Sequence, residues 1–227
     1  MTPTIEGEMY NFVNSGLYDG LFVLEDKETR TLWSHMTGEA LYGEHLGLTM
    51  PVSNLLQLSV SQALAMDADV SVSISDRPYN TGDGMSSRWS PTRDDVRLMS
   101  EFVETLGEED NRLDRMEMGL GIWSDNMRRY YPLSVIRDRG RYLVDEVDGQ
   151  KLLVFLDPLT STPTAVYWDT DEVTFEGRNI LLENGHTIVN GQVTNSAGEI
   201  VATDRPQQMY SRWYGFSLTF PDPEIIQ

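Results

Sequence analysis

Short apolar segments separated by turn-forming dipeptides run through most of the chain. Residues 141–147 (Arg-Tyr-Leu-Val-Asp-Glu-Val) and 150–156 flank Asp148-Gly149, the residue pair of a type I′ turn, and predict a hairpin. From Asn179 to Thr203, Asn184-Gly185 and Asn190-Gly191 divide short apolar pieces, which predicts a meander. Gly20 to Asp26 and Thr31 to Met36 flank the polar Lys27-Glu28-Thr29-Arg30 and predict a third hairpin. Val70, Val72 and Ile74 alternate with Ser71, Ser73 and Ser75, the period of a half-buried strand. Two stretches read as helices. Ser59-x-x-Gln62 is a capping box opening a helix to about Met66. Val96, Met99, Phe102, Val103 and Leu106 share one face of residues 93–106, with Gly107 as the stop. Residues 79–91 read as a long surface loop, and Glu108-Glu109-Asp110 as a solvated connection. The fold class expected is mainly β or α+β: antiparallel hairpins and a meander with two or three short helices. They form one domain, 1–227, with two lobes at 1–107 and 116–227. Asp76-Arg77-Pro78 with Ser87-Arg88-Trp89 is echoed by Asp204-Arg205-Pro206 with Ser211-Arg212-Trp213, but the gaps differ and the echo is read as coincidence.

Composition narrows the chemistry. The 227 residues are 40% hydrophobic and 10% aromatic, enough for a real core. With 36 Asp and Glu against 17 Lys and Arg, the formal net charge is −19. A phosphate backbone would be repelled, so nucleic acid is not an expected partner. Lys27 and Lys151 are the only lysines, and the remaining cations are arginine. That balance fits concentrated salt, where ions screen carboxylate repulsion, and it fits a composition drift from Lys to Arg equally well. The absence of cysteine excludes disulfides, thiolate nucleophiles and cysteine-based metal sites. The N-terminal residues lack a basic and apolar signal pattern, and the longest apolar runs, such as Leu152 to Leu156, fall far short of the ~20 residues a membrane span needs. A cytoplasmic location with no membrane partner is expected.

Candidate sites are sparse. His35, Glu39, Glu44 and His45 have metal-ligating chemistry, but no HExxH-type spacing, and a hydrogen-bonded or exposed histidine pair is the plainer reading. No metal and no cofactor is expected. Ser15 or Ser34 beside His35 lacks a GxSxG context, and neighbours on a strand face opposite ways. Histidines 35, 45 and 186 leave a triad open. Asp145, Asp157 and Asp169 offer acid–base carboxylates, a coincidence easily met in so acidic a chain. Gly82-Asp83-Gly84 lacks the GK[ST] of a phosphate loop. Tyr210-Ser211-Arg212-Trp213-Tyr214-Gly215-Phe216 has the composition of a recognition surface, although its aromatics serve a core equally well.

Two stretches carry a resemblance. Ser15-Gly16-Leu17-Tyr18 is followed by Leu32-Trp33-Ser34 and Thr37-Gly38-Glu39-Ala40, with Gly43 and Gly47. Tyr131-Pro132-Leu133 is followed by Val144-Asp145, Gly149 and Asp157-Pro158-Leu159. Together they resemble the bacterial and archaeal DUF3179 family, a domain of unknown function, over about residues 12–50 and 118–170. In the family pattern the Tyr-Pro-Leu segment comes first, so the order here is permuted. Asp157-Pro158-Leu159-Thr160 stands where the family carries Cys-Pro-Leu-Cys, and His35 stands where many relatives carry Gln. The resemblance implies a grouping and no activity. The leading reading is a non-redox domain binding a small-molecule or carbohydrate-like ligand. A hydrolase using His35 with a carboxylate is the alternative, and an oligomeric interaction module, as a homo-oligomer, the third. The expected ligand-facing residues are Trp33, His35, Glu39, Tyr131, Asp157, Arg212 and Trp213. His35, Glu39, Tyr131, Asp157 and Arg212 are expected to share one cleft, with Arg212 neutralising Asp157.

Overall fold

The computed structural model describes residues 3–74, 76, 98 and 100–227. A minimal pair, β1 (Thr4–Ile5) and β2 (Glu8–Met9), precedes an antiparallel meander of β3 (Phe12–Tyr18), β4 (Leu21–Asp26), β5 (Leu32–Ser34) and β6 (Ala40–Tyr42). An irregular stretch then leads to α1 (Val60–Met66), and a helical turn, α2 (Ser100–Val103), follows later. The hairpin β7 (Met118–Trp123) and β8 (Arg128–Pro132) runs directly into α3 (Leu133–Asp138). Two more meanders come next. The first is β9 (Tyr142–Val147), β10 (Gln150–Leu156) and β11 (Pro163–Tyr167). The second is β12 (Val173–Glu176), β13 (Asn179–Leu182), β14 (Thr187–Val189) and β15 (Gln192–Thr194). The chain returns as β16 (Gln207–Arg212) beside β7, turns through α4 (Trp213–Thr219), and adds β17 (Glu224–Ile225) parallel to β8. The protein is mainly β, built of antiparallel sheets with short helices.

The C-terminal sheets stack because β10 has two apolar faces. Leu152, Val154 and Leu156 pack with Leu120, Ile122, Tyr131 and Ile136 of the β7–β8 sheet and α3. Leu153 and Phe155 point the other way, onto Ile180, Ile188 and Val193 of the last meander. A strand covered on both sides reads as a continuous apolar run, and this is why Leu152 to Leu156 does not alternate. Burial of each such Leu or Phe contributes about 1.5–3 kcal/mol. The far face of the β7–β8 sheet holds Tyr130, Trp213, Phe216 and Phe220 under α4. That approach depends on Gly121, where a Cβ would land on the Phe216 ring. The N-terminal meander closes on Trp33, Ala40 and Met50 with Ile5. It also meets the rest of the chain at Gly20 (φ +68°), where a Cβ would lie 2.5 Å from Leu106 and 3.2 Å from Tyr214.

The predicted hairpins form where the turn dipeptides stand. Asp148 and Gly149 both take positive φ between Val147 and Gln150, and Asn190 and Gly191 do the same between Val189 and Gln192. Asn184-Gly185 sits instead in a short 3-10 turn between β13 and β14. The capping box is present, with Ser59 and Gln62 bonding reciprocally. The strand expected at Val70–Ile74 does not form: those residues pair with nothing among the described residues, and Val72 and Ile74 are exposed. Alternation supplies two faces, but a strand also needs a ladder partner and something to cover its apolar side. The helix expected over 93–106 is described as helical over Ser100–Val103, ending before Gly107. Residues 93–97, the loop 79–91 with Gly82-Asp83-Gly84, and Arg77-Pro78 and Ser87-Arg88-Trp89 of the sequence echo lie outside the described residues.

Candidate ligand cavity

The cavity is made by a strap laid along a sheet edge. After Met50, whose N–H bonds Gly38 O at 2.8 Å, residues 51–58 run without ladder pairing. Asn54 fastens them to the edge of β16 that β7 leaves unpaired. Its Nδ2 donates to Pro206 O at 2.7 Å, and its Oδ1 accepts from Gln208 N at 3.1 Å. A carboxamide presents the donor and acceptor of a peptide group, so it can stand in for a missing strand. Gln207 Nε2 donates to Val52 O at 3.2 Å. The strap ends where Ser59 caps α1, and Gln62 of that cap donates through Nε2 to Asp157 Oδ2 at 2.9 Å.

The opposite wall uses the same device. Gln208 Oε1 accepts from Ala165 N at 2.7 Å and its Nε2 donates to Ala165 O at 2.9 Å, capping the outer edge of β11. Arg205 donates to Thr164 Oγ1 and Ala165 O through Nη1, and to Gly191 O through Nη2. No carboxylate pairs with it among the described residues, and burial lowers its pKa below the ordinary guanidinium value. Between strap and wall lies a cavity of about 540 Å³. Leu56 and Leu58 of the strap, Leu120 and Trp123 of β7, and Pro163 and Met209 supply apolar lining.

Several residues that line this space carry side-chain polar atoms with no hydrogen bond among the described residues, among them Ser53, Gln57, Trp123, His35 and Tyr210. His35 lies just beyond β5, and its Nδ1 is 2.7 Å from Phe22 O. A carbonyl only accepts, so in the neutral imidazole Nδ1 carries the hydrogen and Nε2 keeps a lone pair. That Nε2 and the Tyr210 hydroxyl have no protein hydrogen bond among the described residues, and both residues line the cavity. Burial raises the Tyr210 pKa, opposed by Arg137, so the phenol stays protonated. Asp157 also lines the cavity but is occupied. Its Oδ1 accepts from Leu159 N, Thr160 N and Thr160 Oγ1 at 2.8–3.0 Å, and Oδ2 takes the Gln62 donor. It is the cap of the Asp-Pro-Leu-Thr turn and the anchor of α1.

Of the seven expected ligand-facing residues, His35 and Asp157 meet in this cavity. The other five lie elsewhere, so the single cleft of His35, Glu39, Tyr131, Asp157 and Arg212 is not assembled. Trp33 and Trp213 are fully buried and spend their indole N–H groups on Asp26 Oδ2 and Asp110 O. Tyr131 is equally buried, its hydroxyl donating to Asp145 Oδ2 at 2.6 Å. Large aromatics gain more from core burial than a strand end can offer them. Glu39 accepts from Thr37 Oγ1 and lines a separate depression of about 130 Å³ with Tyr18 and Phe22. Arg212 stands opposite Met118 in the ladder, at the start of α4, and makes no ion pair with Asp157.

The three carboxylates considered for acid–base work are also dispersed: Asp145 pairs with Arg129, Asp169 with Lys151, and Asp157 caps its turn. Among the described residues no three His, Asp or Glu side chains are grouped as a metal would require. His45 packs between the Tyr10 and Trp33 rings, away from His35 in the cavity. Ser15 bonds Glu25, and Ser34 accepts from Thr37 N. Asn54 and Gln208, which shape the cavity, carry no local signal. Only the capping box hinted at Gln62, and nothing hinted at its bond to Asp157.

No family model, curated protein or solved structure matches this chain. No helix among the described residues is long and apolar enough to cross a membrane.

Proposed function

We propose that the chain binds a small molecule, without redox chemistry, in the cavity between the strap 51–58 and the edges of β16 and β11. The observation that carries this reading is a largely apolar cavity of about 540 Å³ whose lining includes His35 and Tyr210, each with a side-chain polar atom that has no hydrogen bond among the described residues. Volumes of about 300–1,000 Å³ with mostly apolar walls and a few placed polar groups are typical of ligand sites. The grouping with DUF3179 and a cytoplasmic setting in concentrated salt belong to the same proposal, supported by the quoted motifs and by the net charge of −19. A hydrolase would need a carboxylate behind His35, and Nδ1 of that ring faces a carbonyl instead.

The test is an amide NMR titration with methyl glucoside, cyclohexanol and phenol, repeated on Leu56→Trp, which fills the cavity. At least one compound is expected to shift the amides of Met36, Leu56 and Gly191 in the native protein and to leave the filled variant unchanged. Silence from all three would overturn the reading.

One surface supports the interaction-module reading beside it. Tyr18 and Phe22 of the N-terminal meander are 64% and 56% exposed and line one shallow depression with Leu41. Exposed apolar side chains grouped in this way mark contact surfaces. Light scattering that gives a monomer mass at high protein concentration would dismiss it.

A further inference from the structure

One signal of the sequence is left unused by the fold of a single chain. Val70, Val72 and Ile74 alternate with serines as in a half-buried strand. Yet Ser71 to Ile74 make no backbone hydrogen bond among the described residues, and Val70 N–H reaches only Asp67 O, at 3.3 Å. Val72 and Ile74 are 65% and 83% exposed. Free N–H and C=O groups beside an uncovered apolar side are a template for another chain, and strands that stay alone are guarded by charge, proline or a bulge. The edge strand β3 is guarded, by a register shift between Asn14 and Gly16. Between Asp69 and Asp76 there is no charge, no proline and no glycine, in a chain of net charge −19.

We infer that Val70–Ile74 is a dimerisation strand, pairing antiparallel with the same segment of a second copy about a two-fold axis at Val72. A basic partner would find no carboxylate between Val70 and Ile74, and any other protein would have to bring an uncharged strand that this chain already carries. A two-fold axis makes the segment its own complement and closes the assembly at two. Centred on Val72, the register sets Val70 against Ile74 and Val72 against its mate, so the apolar side chains of both copies share one face. It also sets Asp69 and Asp76 against uncharged residues. A slip by one residue sets valine against serine and, in one direction, Asp69 against Asp76. A two-stranded ribbon also needs cover for its apolar face. Val60 and Leu64, one turn apart on α1, are 67% and 49% exposed, and α1 ends at its cap Asp67, just before Val70. That apolar strip supplies the cover in the dimer.

Neither the cavity nor the Phe22 depression enters this contact, so variants separate them. Sedimentation velocity in about 1 M potassium chloride, where a Debye length of ~3 Å screens repulsion between two acidic chains, is expected to give twice the chain mass. Val72→Pro removes a ladder N–H at an exposed position and is expected to give a monomer with native circular dichroism. Phe22→Ser is expected to remain a dimer. The chain has no cysteine, so a single introduced thiol reports the register. In Val72→Cys the two thiols stand directly opposite, within disulfide reach, whereas in Ser71→Cys they lie on a diagonal of about 7–8 Å. Under mild oxidation Val72→Cys is expected to cross-link at least about tenfold faster. A monomeric native protein, a dimer that survives Val72→Pro, an assembly larger than two, or Ser71→Cys cross-linking as fast as Val72→Cys would overturn the inference. A dimer lost in Phe22→Ser and kept in Val72→Pro would overturn it and leave the Phe22 surface as the contact.

Discussion

Asp26 shows how much one side chain depends on its donors. It is fully buried, and it accepts from Trp33 Nε1 at 2.8 Å, Thr29 N at 2.6 Å and Thr29 Oγ1 at 2.8 Å. Burial by itself pushes its pKa up, but the Trp33 and Thr29 donors, with His45 nearby, outweigh burial and hold it below the ordinary carboxylate value. A depressed folded-state pKa means that the stabilisation is complete above the unfolded-state value of about 4 and is lost as pH falls through the folded value. Asp26→Asn should therefore cost about 1–3 kcal/mol at pH 7 in urea unfolding. The gap from the native protein should narrow as the pH is taken below about 4. A gap that stays constant from pH 7 to pH 3 would show that the charge of Asp26 contributes nothing.

At the scale of elements, β10 and the strap are opposites. Every residue from Leu152 to Leu156 is buried, and Leu152 to Phe155 are laddered on both sides, by β9 and β11. Residues 51–58 have no ladder, alternate between exposed and half-buried, and depend on Asn54 and Gln207 for their attachment to β16. Segments with few protected backbone bonds open at low free energy. Asn54→Ala should accelerate amide exchange across 51–58 and leave 152–156 unchanged, with a loss of about 1–2 kcal/mol in global stability. Asn54→Asp keeps the acceptor for Gln208 N and loses the donor to Pro206 O, so its effect should be intermediate. Equal acceleration in both segments would mean that Asn54 supports the whole fold and not the strap.

For the whole molecule, negative charge is what the contacts leave most uncompensated. Several cations are already shared: Lys151 bridges Asp169 and Asp171, and Arg129 bridges Asp145 and Glu224. Many remaining carboxylates face solvent, where exposed pairs are worth ~0–1 kcal/mol and repulsion acts over the Debye length. Raising potassium chloride from about 0.1 M to 1 M shortens that length from ~10 Å to ~3 Å. The melting temperature should rise over this range, measured by circular dichroism, and a flat or falling curve would remove self-repulsion as a determinant of stability.

Local chemistry alone determined the type I′ turns at Asp148-Gly149 and Asn190-Gly191, the Ser59–Gln62 cap and the apolar run of β10, because each is decided within a few residues by backbone conformation and side-chain reach. The mainly β class follows from those signals, whereas His35 and Asp157 stood among the candidates for their residue types and the motifs they sit in. Tertiary structure decided the rest. Trp33, Tyr131 and Trp213 have the composition of a binding surface, and only the packing of sheets against each other and against α4 turned them into core. Asp157 is a plausible ligand carboxylate until α1, 95 residues earlier, brings Gln62 onto it. The cavity is closed by a bond from Gln208 to Asn54 across 154 residues, and by Gln208 on Ala165. Such amide contacts are set by which sheet edges are left unpaired once the layers stack, a property of the assembled fold that no short stretch of sequence contains.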